Sequence, residues 1–133
     1  MPAATHCDDA TVPLTWSRSY RAERGQVSLA RRFLAGILAG HPAADDAVLC
    51  LSELMANSVM YSRSARPGGR VTIRAGLRGD AIRVEVEDDG GPWAQPGSHA
   101  GHESGRGLLV VSELASSWGL AGSSTRRLAW FEL

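Results

Sequence analysis

The sequence predicts an α+β two-layer sandwich, a mixed, mainly antiparallel β-sheet with helices on one face. Three observations carry that expectation. Residues 70–75 and 81–88 each alternate apolar and polar side chains around a Gly-Leu-Arg-Gly-Asp segment, the pattern of a hairpin with one buried face. Apolar residues at helical spacing fill 26–39, 43–61 and 108–115. Two strand-like segments, 117–121 and 126–133, complete the set. With 133 residues, 44% hydrophobic and 21% charged, the chain has enough apolar surface for one domain with a core.

Taken in order, residues 1–12 are rich in Ala, Thr and Asp and could not bury a face. They are expected to be a disordered leader, with residues 13–133 forming a single domain. Leu14 to Tyr20 alternates as a short strand. Val27, Ala30, Phe33, Leu34, Ile37 and Leu38 then recur at helical spacing until Gly40, His41 and Pro42 stop the helix. The next helix carries Asp45 and Asp46 in its first turn, where carboxylates favour the positive end of the helix dipole. Residues 62–69 read as a loop, and the hairpin follows. The stretch 90–104, dense in Gly, Pro, Ser and His around one Trp, is too long and too glycine-rich to be a passive connection. Gly-Arg-Gly then opens the third helix at Leu108. Trp16, Trp118 and Trp130 fit strand and core positions.

Charge removes several function classes. Fourteen basic and fourteen acidic residues cancel, so the whole-chain field that gathers nucleic acid or an anionic membrane is missing. Every basic residue is Arg, which excludes a P-loop lysine, a Schiff-base lysine and a lysine general base. Cys7 and Cys50 lie far apart, with no CxxC and no Cys/His cluster, as suits a reduced, cytoplasmic protein. No segment reads as a signal peptide or approaches the length of a membrane span.

Three motifs carry chemistry. Glu53 and Asn57 lie one helical turn apart, on a stripe roughly opposite Val48, Leu51, Met55 and Val59. By itself the pair reads as a solvated polar face, but an amide oxygen suits Mg²⁺ beside phosphate oxygens, and a Glu one turn away can take a proton. In the strand ending at Asp88, parity points Asp88 inward with Ile82, Val84 and Val86, and Asp89 outward. An inward carboxylate requires a basic side chain, backbone N–H groups or a ligand donor. Gly90 and Gly91 let the backbone turn there. Gly105-Arg106-Gly107-Leu108 precedes an apolar helix, where free N–H groups and the dipole suit phosphate oxygens.

Together, and in this order, these motifs resemble the Bergerat-fold (GHKL) ATP-binding superfamily, over about Leu14 to Leu133. The similarity is greatest to its single-domain anti-sigma-factor serine/threonine kinases. The resemblance implies that Asn57 holds Mg²⁺, that Glu53 is the general base, and that Asp88 and Gly90 read adenine. It further implies that Gly105, Arg106, Gly107 and Leu108 end the nucleotide lid beside the phosphates, and that Thr125 lies near the adenine. Departures accompany it: Pro92 stands where the family has a glycine, and Tyr61 where related sequences often carry a His. His41, His99 and His102 sit in a turn or the lid, so no phosphoacceptor His helix is present. The implied function is an ATP·Mg²⁺-binding serine/threonine protein kinase that phosphorylates a small antagonist protein and sequesters a sigma factor, with homodimerisation expected. The alternative is a non-catalytic, nucleotide-responsive protein-binding module. Neither calls for direct nucleic-acid or membrane contact.

Overall fold

The computed structural model describes residues 12–61, 68–90, 102–123 and 125–133. In chain order these form β1 (Trp16–Arg21), α1 (Arg24–Ile37), α2 (Ala44–Tyr61), β2 (Arg70–Arg78), β3 (Ala81–Asp88), α3 (His102–Leu114), β4 (Ser117–Ser123) and β5 (Arg126–Glu132). The strands make one sheet in the order β1-β2-β3-β5-β4. All four pairings are antiparallel. The expected mixed sheet is therefore corrected to a wholly antiparallel one among the described residues. β5 docks against β3 and runs opposite to it, and β4 folds back on β5 at the edge, so no two like-directed strands become neighbours.

One sheet face carries Val71, Ile73, Ala75, Ile82, Val84, Val86, Ala129 and Phe131, all buried. The helices cover this face, and α2 is the central one, in contact with α1, α3, β2 and β3. That position explains its burial pattern. Leu51, Met55 and Val59 are buried as the spacing predicts, but so are Ala47, Cys50, Leu54, Asn57 and Ser58 on other sides of the helix. The expected solvated stripe through Asn57 is corrected accordingly, since a helix flanked by two others and laid on a sheet keeps little surface for water.

The hairpin is tighter than expected. Gly76 and Leu77 belong to β2, Arg78 pairs with Ala81, and only Gly79 and Asp80 turn the chain, with Gly79 at φ 60°. At Gly76 a Cβ would lie 1.6 Å from the Pro13 carbonyl oxygen, so the segment entering β1 crosses directly over it. Val12 is buried there, which places the last residue of the expected leader in the folded domain. His41 ties the α1–α2 turn to the hairpin. Its Nδ1 accepts from the Ala43 N–H at 3.0 Å and its Nε2 meets the Asp80 carbonyl at 3.0 Å, which requires the proton on Nε2.

The opposite sheet face is a lattice of charges. Arg74 pairs with Glu85 and Glu87, Arg83 with Glu85 and Glu132 (3.0 and 2.9 Å), and Arg126 with Glu87 (2.8 Å). The Arg83 guanidinium also lies 4.3 Å from the centre of the Trp130 ring. Trp130 crosses Gly119, where a Cβ would come within 2.7 Å of the indole nitrogen. Trp130 thus packs outside the core, and Trp16 and Trp118, on edge strands beyond the helices, are 37% and 36% exposed rather than core residues. Hydrogen bonding from Arg126, opposed by burial and reinforced by Arg74, holds the Glu87 carboxyl down at about 2.

Candidate functional site

Asn57 sits on the fourth turn of α2 and is 3% exposed. Its Oδ1 is buried with no hydrogen-bond partner among the described residues. Burying an amide oxygen unpaired costs ~1–3 kcal/mol, so this atom is an acceptor in want of a cation or a donor. Glu53, one turn earlier and half-buried, is the nearest carboxylate on the same stripe. No group of three or more His, Cys, Asp or Glu among the described residues could cage a metal. One neutral amide oxygen is instead a donor suited to Mg²⁺ that keeps its waters and shares phosphate oxygens, with Glu53 one turn away free to take a proton. The residues therefore fit that ion. Cys50, one turn before Glu53, has its thiol pushed up to about 11 by burial, with the Asp46 and Glu53 charges adding to it, so it is no nucleophile.

Asp88 ends β3 and points inward as parity predicts, with 3% of its surface exposed. Of the three partners open to an inward acid, two are present. Arg127, directly across on β5, grips it with both arms, Nε to Oδ1 at 3.0 Å and Nη2 to Oδ2 at 2.8 Å. The Gly90 N–H donates to Oδ1 at 2.9 Å, at a backbone φ of 95° that glycine adopts readily. The Ser58 hydroxyl, next to Asn57 on α2, donates to Oδ2 at 2.6 Å. The two motif regions are thereby linked through α2.

Arg127 and Ser58 are the residues that sequence reasoning missed. A signal existed for Arg127: alternation along β5 puts it on the same face as Ala129 and Phe131, which are inward. Thr125 is exposed in the β4–β5 turn, its hydroxyl 3.1 Å from that of Ser123. The residue facing Asp88 across the strands is Arg127. Gly105, Arg106 and Gly107 also differ from expectation: α3 begins at His102, so they lie within the helix rather than ahead of it. Leu108 is buried in the core. Pro92, Trp93 and His99, in the expected lid, lie outside the described residues. Grooves of about 310 and 240 Å³ lie along α1 and α2, and neither is lined by Asn57 or Asp88.

Comparison with known proteins decides the family. Residues 20–126 match the family described as the histidine kinase-like ATPase domain, well over half of the chain. The chain belongs to that family. No curated protein matches it in sequence. Among solved structures it is similar to the RsbU and RsbW domains of Rv1364c from Mycobacterium tuberculosis, with a TM-score of 0.62 and 23% identity. That match covers 89% of this chain and 32% of the other, so the chain spans about a third of the length of that protein and shares its fold. No helix among the described residues is long and apolar enough to cross a membrane.

Proposed function

We propose that residues 13–133 form one ATP·Mg²⁺-binding regulatory domain acting as an anti-sigma-factor-type serine/threonine kinase on a small antagonist protein. The observation that carries this reading is the buried Oδ1 of Asn57, without a partner among the described residues and one turn from Glu53, in a chain of the histidine kinase-like ATPase family. The anti-sigma assignment draws on the motif resemblance, and an RsbW domain among similar structures supports it. Bound nucleotide with its cation supplies the phosphoryl group and neutralises the phosphate charge, for which this chain has no lysine.

The chain's own residues divide the work. Asn57 offers its amide oxygen to the cation, without the charge a carboxylate would add. Glu53 would accept the proton of the partner's Ser or Thr hydroxyl as that oxygen bonds to the terminal phosphorus of ATP and the bond from that phosphorus to the bridging oxygen breaks, releasing ADP. Ser58, hydrogen-bonded to Asp88, holds the α2 register beside the base-reading carboxylate. Incubation with labelled ATP and candidate antagonist proteins tests the reading, and phosphoserine or phosphothreonine in one of them is the expected result. Glu53→Gln should lower that transfer ~10²–10⁴-fold and leave nucleotide affinity nearly unchanged. Absence of transfer to any partner, with tight ATP binding, would sink the kinase assignment.

A second reading has its own support. The Arg127 clamp on Asp88 favours a non-catalytic module whose protein partner responds to whether the nucleotide site is open. A protein interaction unchanged by Glu53→Ala but abolished by Asp88→Asn would favour the module.

A further inference from the structure

Every acceptor position of Asp88 is in use. An ionised carboxylate offers about four lone-pair sites over two oxygens. Oδ1 receives Arg127 Nε and the Gly90 N–H, and Oδ2 receives Arg127 Nη2 and the Ser58 hydroxyl. With the two side chains 2% and 1% exposed, water does not compete for them. A purine amine approaching Asp88 finds no free acceptor in this arrangement. It is also neutral, and it would replace a bidentate, charge-assisted contact, which is among the stronger hydrogen-bonded pairs in proteins.

We propose that Arg127 is an internal competitor for the base-reading carboxylate, so that an adenine nucleotide binds only after the guanidinium has left Asp88. This rests on the nucleotide reading of the site given above. Of the groups on Asp88, Arg127 is the one whose removal frees acceptor capacity on both oxygens. Gly90 is bound by its own backbone and Ser58 by its place on α2. Arg127 lies two residues from the β4–β5 turn, near the end of the sheet, and is paired across β4 with Gly122, which projects no side chain. A long side chain there has a short path towards solvent. The apparent affinity of the native chain is then its intrinsic affinity multiplied by the small fraction of molecules in which the clamp is open. Arg127 is in this sense a specificity-determining residue: a ligand must bring enough contacts elsewhere, chiefly at the phosphates and cation, to release it.

The test is calorimetric titration of the full chain with ATP·Mg²⁺ and with inosine triphosphate·Mg²⁺, which lacks the exocyclic amine. Arg127→Met keeps much of the side-chain length and removes the donors. It should bind ATP about tenfold tighter or more than the native chain, with inosine triphosphate affinity unchanged. Because Arg127→Met leaves a buried carboxylate without its cation, circular dichroism must show it folded. If it is not, Arg127→Lys, a single-point donor that retains the charge, decides the matter through a smaller tightening for ATP alone. Equal or weaker ATP binding by the folded variant overturns the inference while leaving the nucleotide reading intact. Equal gains for both nucleotides also overturn it, since the effect would then lie away from the amine. Failure of the native chain and both variants to bind any nucleotide overturns the nucleotide reading and this inference together.

Discussion

Two buried polar groups, Asn57 on α2 and Asp88 at the end of β3, which Ser58 bonds from the position after Asn57, stand in opposite conditions. Asn57 Oδ1 is sealed from water with no donor among the described residues, whereas Asp88 has donors on both oxygens. Burial is the same, 3% exposed in each case. The partners differ. An unfilled acceptor in a folded core is tolerated where something else fills it, and a filled one resists being filled again. On the proposed reading, the half of the site that would hold the cation is prepared for a ligand, while the half that would read the base is held by the chain itself.

The largest break in this contrast is at the clamp. Asp88→Ala should destabilise the fold by ~3–5 kcal/mol, because it strands the buried Arg127 cation. Urea denaturation followed by circular dichroism measures it, and a loss under ~1 kcal/mol would mean that Arg127 is not buried against Asp88 in solution. The same change at the other half should be mild. Asn57→Ala removes an acceptor that has no partner to lose, so stability should stay within ~1 kcal/mol of the native value, while Mg²⁺ ceases to strengthen nucleotide binding in a titration with and without the ion.

A third change sharpens the contrast by way of the pair on the other sheet face, one residue earlier on each strand. Glu87 has a carboxyl lowered from 4.5 to about 2 by Arg126 and Arg74, so between these values the unfolded chain binds more protons than the folded one. Its stabilisation is present above about 4.5 and is lost as the pH falls towards about 2. Arg126 is 66% exposed, so solvent screens the pair. Glu87→Gln should therefore flatten the acid limb of stability against pH only slightly, measured by urea titrations at several pH values. A loss as large as that of Asp88→Ala would show that burial is not what separates the two ion pairs.

Much of the arrangement was legible from alternation and spacing. The strand ending at Asp88, the inward direction of that acid and the stacking of Glu53 over Asn57 follow from periods of two and of 3.6 residues, which are local. The start of α3 was not legible. Glycine is a poor helix former by ~1 kcal/mol relative to Ala, which moves the expected start to Leu108, whereas the helix runs from His102. Parity also pointed Arg127 inward, but only the docking of β5 beside β3, in a register that pairs residue 88 with residue 127, says which acid it meets.

What the sequence by itself determined is the set of elements, the chemistry of the motif residues and the side of each strand on which they lie, because backbone geometry links neighbours in the chain directly. The tertiary structure alone decided that Asn57 Oδ1 is buried with no partner among the described residues and that Asp88 is held by Arg127. Both depend on elements far apart in the chain, two helices closing over a third and one strand settling against another. Whether a polar group is solvated, stranded or paired is set by what packs against it, and that is a property of the assembled fold.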